Sequence, residues 1–250
     1  MPDYTSIETI RTLPGLRMAV LRGIPSPWSE AAKGIFHVKR LECVYGAQSD
    51  GDPDNAIAHY WGNSSVPVLL WNDDKPRSGW AEILILAERL TDSTPLIPDD
   101  AEARVDLFGV AHEICGEMGL GWSYRLVMTG DGQKGAFPAG VTRYLAAKYG
   151  HNPVHANAAR RRVISILRLL SRRLESQEFL IGDQFTAADI YWATFANLII
   201  PLPEELMPTV PMIRQAYDCK DEEILVAISP RLRAHQRRIY DEFLGLPVTL

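Results

Sequence analysis

The sequence predicts an α/β domain over residues 16–90 joined to an all-helical domain over 101–250, on three observations. A strand, helix, strand succession fits within residues 16–45. The stretch TDSTPLIPDD, polar and carrying two prolines, supplies a linker at 91–100. From Ala101 onward the apolar residues recur at helical rather than strand spacing.

In chain order, residues 1–15 read as an arm ending in the Pro14-Gly15 turn. LRMAVLRG from Leu16 reads as a short buried strand, punctuated by Gly23, Pro25 and Pro27. In SPWSEAAKGIFHVKRL, the residues Ala31, Ala32, Ile35, Phe36 and Val38 form the apolar stripe of a helix. Leu41 to Tyr45 alternates as a second strand, which closes a βαβ unit. The polar run SDGDPDNAIAHYWGNSS leads into VPVLLW, a further strand, and NDDKPRS turns into a short return strand. Ser78 is placed to cap the helix GWAEILILAERL, whose Trp80, Ile83, Leu84, Ala87 and Leu90 share one face.

In the second half, Ala101 to Val127 carries a helical stripe broken by Gly116, Gly119 and Gly121, so a bend is expected at residues 116–121. A Gly-rich loop follows at 130–140, then helices at Thr142–Tyr149 and Val154–Glu178. The arginines at 160–162, 168, 172 and 173 read as a solvated face of the last of these. Prolines 201, 203, 208 and 211 break the chain before a final amphipathic helix in SPRLRAHQRRIYDEFL.

Composition excludes several functions. A net charge of −5 gives no electrostatic footing for nucleic acid. No segment has the length of a membrane span, and MPDYTSIETIRTL lacks the basic start and apolar run of a signal peptide. Cys43, Cys115 and Cys219 are far apart and without C-x-x-C spacing, as expected of reduced cysteines in a cytoplasmic protein. Neither His112, Glu113 and Cys115 nor His151 and His155 form a metal-ligand spacing, so no metal is expected.

The most specific phrase is FLIGDQFTAADI. Thr186 and Asp189 stand in capping-box positions, the hydroxyl facing the amide of 189 and the carboxylate reaching back to that of 186. Phe185 and Ile190 are spaced as a hydrophobic staple, and the apolar run behind them belongs in a domain centre. With its Gly-Asp turn, this phrase resembles the start of the central helix in the second domain of cytosolic glutathione transferases. Val66-Pro67 before a strand matches the same family's thioredoxin-like N-terminal domain, and the resemblance spans roughly residues 16–245.

The resemblance implies a thioredoxin-like glutathione-binding domain and an all-α partner domain, with a cis bond at Pro67 and the backbone of Val66 offered to glutathione. It places the catalytic element in the loop Ile24 to Glu30, where S-P-W-S puts Ser29 at the position of the family's serine and cysteine types, with Ser26 second and Trp28 between. A free thiol titrates near ~8.5, so a hydroxyl donor and a helix start that favour the thiolate activate it at neutral pH. Counting back from Glu88, Arg89 and Leu90 puts Glu82 and Ile83 at the family's [EQ]-[ST] pair, with Glu82 as carboxylate for the γ-glutamyl ammonium. The second substrate is expected between the domains, near His112, Cys115, Trp122 and Tyr124. The implied function is glutathione transfer to a small apolar electrophile by a homodimer. The alternative, favoured by Ile83 where the family has serine or threonine, is a non-catalytic binding or interaction module with weakened glutathione affinity.

Overall fold

The computed structural model describes residues 4–48, 56–62, 65–129 and 137–250. A four-stranded sheet is formed by β1 (Tyr4–Ser6), β2 (Leu16–Leu21), β3 (Val44–Gln48) and β4 (Val68–Trp71), in the order β1-β3-β2-β4. β1, β3 and β2 run parallel, and β4 is antiparallel to β2. The return strand expected after β4 is reduced to one bridge, Leu69 with Arg77.

Residues 4–15, expected within an arm, are instead part of the packed domain. Beyond β1 they form α1 (Ile7–Thr12), whose start is capped by the Ser6 hydroxyl accepting from Thr9 N–H at 3.1 Å. Ile7 and Ile10, four positions spanning one helical turn, bury themselves on the sheet. Gly46 of β3 makes room: a Cβ there would lie 2.6 Å from Ile10 Cδ1. The expected strand at Leu41–Tyr45 is shifted to Val44–Gln48. α2 (Pro27–Val38) ends through Arg40, at φ 54°, and the Leu41 N–H turns back to the Phe36 carbonyl at 2.9 Å. Leu41 thus serves the helix terminus, and pairing starts three residues later.

α3 (Ala56–Trp61) precedes β4, and α4 (Trp80–Leu90) follows it. The residue at the α4 N-cap is Gly79 rather than Ser78; the Glu82 carboxylate reaches back to the Gly79 amide at 3.3 Å. α2 and α4 cover one face of the sheet. The linker at 91–100 contains no helix or strand and is held by Lys39, 1% exposed, whose ammonium reaches Glu88 Oε1 at 2.8 Å and the Ser93 carbonyl at 2.9 Å. The same Glu88 oxygen accepts from the Leu96 amide at 3.1 Å.

The helical domain comprises α5 (Ala101–Cys115), α6 (Leu120–Thr129), α7 (Ala139–Tyr149), α8 (Pro153–Ser176), α9 (Ala187–Ala196), α10 (Pro211–Tyr217), α11 (Glu222–Val226) and α12 (Pro230–Ile239), the last running into a π-turn at Tyr240–Leu244. The break between α5 and α6 falls at residues 116–119, where the glycines predict it. Most of the expected Gly-rich loop, 130–136, lies outside the described residues. α9 is buried along its whole length and packs against α2, α5 and α12.

At the start of α9 the Asp189 carboxylate accepts from the Thr186 amide at 2.9 Å and from the Thr186 hydroxyl at 3.1 Å. The hydroxyl therefore turns to the carboxylate. Phe185 stacks face to face on Phe243, with ring centroids 3.8 Å apart. The arginines of α8 are not a uniformly solvated face. Arg160 pairs with Asp221, Arg162 with Glu113 and Arg173 with Asp106, each joining α8 to a neighbouring element, while Arg161, Arg168 and Arg172 are exposed.

Candidate functional site

A cleft of about 780 Å³ runs between the two domains. One wall is built by the N-terminal domain: Ser26 and Trp28 at the start of α2, Val66 and Pro67 before β4, and Ser78 and Trp80 at the start of α4. The Val66-Pro67 bond is cis. The opposite wall comes from α5, α6, α7 and α10 and includes His112, Cys115, Trp122, Arg125, Tyr149 and Tyr217.

Ser26 occupies the N-cap position of α2, and Pro27 in the first turn removes one amide from the helix start. A serine here ordinarily accepts from a first-turn amide. Ser26 does not, although its backbone carbonyl receives the Glu30 N–H at 2.9 Å. Its hydroxyl faces the cleft beside first-turn amides that no side chain caps, at the positive end of a twelve-residue helix.

Trp28 joins the walls. Its indole N–H donates to the Cys115 carbonyl at 2.9 Å, and its ring meets Phe195 edge-on at 4.9 Å. Gly121 permits this approach, since a Cβ there would lie 2.5 Å from the Phe195 ring and 3.1 Å from that of Trp28.

Several expected site residues are elsewhere. Ser29, one turn along α2, is wholly buried and does not line the cleft; its hydroxyl has no hydrogen-bond partner. Glu82 is also off the cleft, exposed and engaged with Gly79, with the Lys75 ammonium 3.9 Å away. Ile83 faces inward, 2% exposed, beside Ala31 and Ile35 of α2. Both belong to the first turns of α4 after the helix has left the cleft; its N-cap region is what the cleft touches. Tyr124 is fully buried in α6 and faces Cys219 rather than the cleft. His112, Cys115 and Trp122 do line it. Burial drives the Cys115 thiol well above its usual pKa, so it remains a neutral wall residue.

The far wall is polar. Arg125 is 7% exposed and donates from Nη2 to the Tyr217 phenol oxygen at 3.0 Å. Burial opposes the Arg125 charge, but the Tyr217 and Tyr149 oxygens outweigh it and raise the pKa, leaving a cation at neutral pH. Lys148 also lines the cleft, and burial followed by the nearby Arg125 charge lowers its pKa. Burial raises the pKa of the Tyr149 phenol, so it is neutral at physiological pH.

Residues 153–238 match the family model described as "Glutathione S-transferase, C-terminal domain". No curated protein sequence matches the chain. Among solved structures, a glutathione S-transferase domain-containing protein from Marinobacter aquaeolei is 17% identical, with a TM-score of 0.65 over 90% of this chain and 98% of that one. The chain has the glutathione S-transferase fold, and the family-model match is confined to part of its helical domain. A Methylobacterium radiotolerans glutathione S-transferase in complex with glutathione sulfonate is 17% identical, with a TM-score of 0.62 over 91% of each chain. A rice GST in complex with glutathione is 20% identical, with a TM-score of 0.62 over 93% of this chain and 91% of that one.

In this glutathione S-transferase fold, the sequence reading misses Trp80 as a cleft residue and sets the main contacts at Glu82 and Ile83 rather than at Ser78, because its count is anchored on the end of α4, whereas the cleft meets the start. It also misses Arg125, for which a signal exists: one arginine inside the otherwise apolar and small run LGWSYRLVM. Among the described residues no group of three His, Cys, Asp or Glu side chains is gathered for a metal, and no helix is long and apolar enough to cross a membrane.

Proposed function

We propose that this protein is a glutathione-dependent transferase that binds glutathione against the N-terminal wall of the cleft and delivers its thiolate to an electrophile held by the helical wall. The observation that carries the reading is Ser26: a hydroxyl at a helix start, free of the capping bond and facing the cleft. The thiol proton leaves to solvent, and the Ser26 O–H then donates to the sulfur anion, aided by the α2 terminus. The sulfur–carbon bond forms as the acceptor's leaving group departs with its bonding pair. Val66 offers backbone groups to the cysteinyl part, Trp28 walls the sulfur, and Ser78 lies where the γ-glutamyl end reaches the start of α4. Trp122, Leu145 and Ile213 give the acceptor an apolar bed.

The alternative of a non-catalytic module drew its support from Ile83. With Ile83 in the core, the absence of a hydroxyl there says nothing about glutathione affinity. The test is calorimetric titration of reduced glutathione into wild type and Glu82→Ala. Saturable binding that Glu82→Ala leaves within about twofold, as for an exposed group worth only tenths of a kcal/mol, is expected. No binding at millimolar glutathione overturns the reading.

We also propose a cytoplasmic homodimer, joined across the two domain types. Ile85 on α4 and Val105 on α5 are 40% and 74% exposed, apolar surface suited to burial against a second copy. Light scattering is expected to return twice the 28.0 kDa chain mass; a monomer mass would refute the dimer.

A further inference from the structure

The far wall of the cleft holds two cations for which the described residues supply no counter-charge. Arg125 spends Nη2 on Tyr217, has the Tyr149 phenol as a further hydrogen-bond partner, sets Nη1 3.9 Å from Met128 Sδ, and leaves its buried Nε without a partner. Lys148 stands near the Tyr144 and Tyr149 rings, at 5.7 and 5.9 Å from their centroids. Among the described residues no carboxylate comes within ion-pair distance of either, whereas the half-buried Arg160, Arg162 and Arg173 each have one. Glu117 also lines the cleft, but it is exposed at the α5–α6 break and pairs with neither cation. A guanidinium taken out of water without an anion is costly to the fold. The hydrogen-bond partners of Arg125 across the helical wall are phenols rather than carboxylates.

We propose, resting on the reading of this cleft as the acceptor site, that the acceptor carries a carboxylate, which Arg125 and Lys148 hold at the far wall while its electrophilic carbon faces Ser26. The remaining guanidinium N–H groups give a carboxylate charge-assisted hydrogen bonds, to which the Lys148 ammonium adds a second charge. Tyr149 and Tyr217 flank the anion with their phenol rings, and Ile213 and Leu145 cover the carbon skeleton between the charge and the sulfur. The acceptor is then an amphiphile with an apolar body and one acidic end, rather than a wholly apolar electrophile.

The test titrates 4-phenylbutyrate and the neutral 4-phenylbutan-1-ol into wild type, Arg125→Gln and Lys148→Gln by calorimetry, with S-benzylglutathione titrated into wild type in parallel. The acid is expected to bind wild type roughly tenfold or more tighter than the alcohol, as for a charge-assisted pair. Arg125→Gln is expected to remove about tenfold of the acid's affinity and Lys148→Gln about threefold, with the alcohol unaffected. Equal affinity of acid and alcohol for wild type, or no binding of either, overturns the proposal, and that comparison stands even where Arg125→Gln does not fold. An acid affinity that both variants leave intact overturns it too. If S-benzylglutathione fails to bind while the acid's preference and its loss in the variants remain, the anion site stands and the glutathione reading falls.

Discussion

Ser26→Ala is expected to lower kcat/KM for glutathione conjugation by about 100-fold, the scale found when one preorganised donor to a developing anion is removed. Its hydroxyl is the side-chain donor at the cleft end of α2 and has no competing role in the helix cap. The pH profile separates this from a structural effect. With the donor present the bound thiol titrates below its free value of ~8.5, and activity rises through that lowered pKa as the thiolate forms. Without the donor the anion loses stabilisation, the pKa rises, and the limb of the pH–rate curve moves to higher pH. The variant should therefore recover part of its loss under alkaline conditions. Ser29→Ala serves as the contrast, because a wholly buried serine off the cleft leaves the pH profile unchanged. A flat ratio of variant to wild type across pH would show that Ser26 does not set the thiolate.

Asp189→Ala is expected to destabilise the protein by about 3–5 kcal/mol, the cost of breaking a buried hydrogen-bonded network by removing the partner that several donors share. Asp189 is fully buried and collects four hydrogen bonds. They come from the Thr186 amide and hydroxyl, from the Leu180 amide at 2.9 Å and from His235 Nε2 at 2.8 Å. Removing the carboxylate strands donors on the α8–α9 turn, on the α9 start and on α12 together. For a chain of this size the loss corresponds to a fall in melting temperature of about 10 °C. Asp189→Asn keeps one acceptor and is expected to fall less. A melting temperature for Asp189→Ala within about 2 °C of wild type would contradict the network's role.

Much of this arrangement was legible in the sequence, and the reasons are local. The capping residues at 186 and 189 and the glycines at 116–121 act on their own few neighbours, so pattern reading located the start of α9 and the α5–α6 break. Register was harder. The strand at 44–48 is displaced from its alternating pattern because Leu41 is needed by the terminus of α2, a tertiary competition that alternation does not record. Ser26 and Ser29 lie three residues apart at the start of α2, and only packing decides that one meets the cleft while the other is interior. Glu82 shows the same limit: a carboxylate three residues into a helix reads equally as a ligand and as a cap, and here it caps. Lys39 depends on residues dozens of positions away and has no local signature, while Arg125 stands out in its apolar run but its partner Tyr217 is 92 positions away.

The short strand β1 has a consequence for how the molecule behaves among its own copies. β3 would otherwise be the outermost strand, presenting a row of unpaired amides and carbonyls that invites strand pairing between molecules. Tyr4 to Ser6 occupy that row, and α1 folds over it with Ile10 seated on Gly46. A dozen residues outside the cleft thereby protect the sheet against self-association, and a chain trimmed to Leu16 would retain every cleft residue while exposing an adhesive margin.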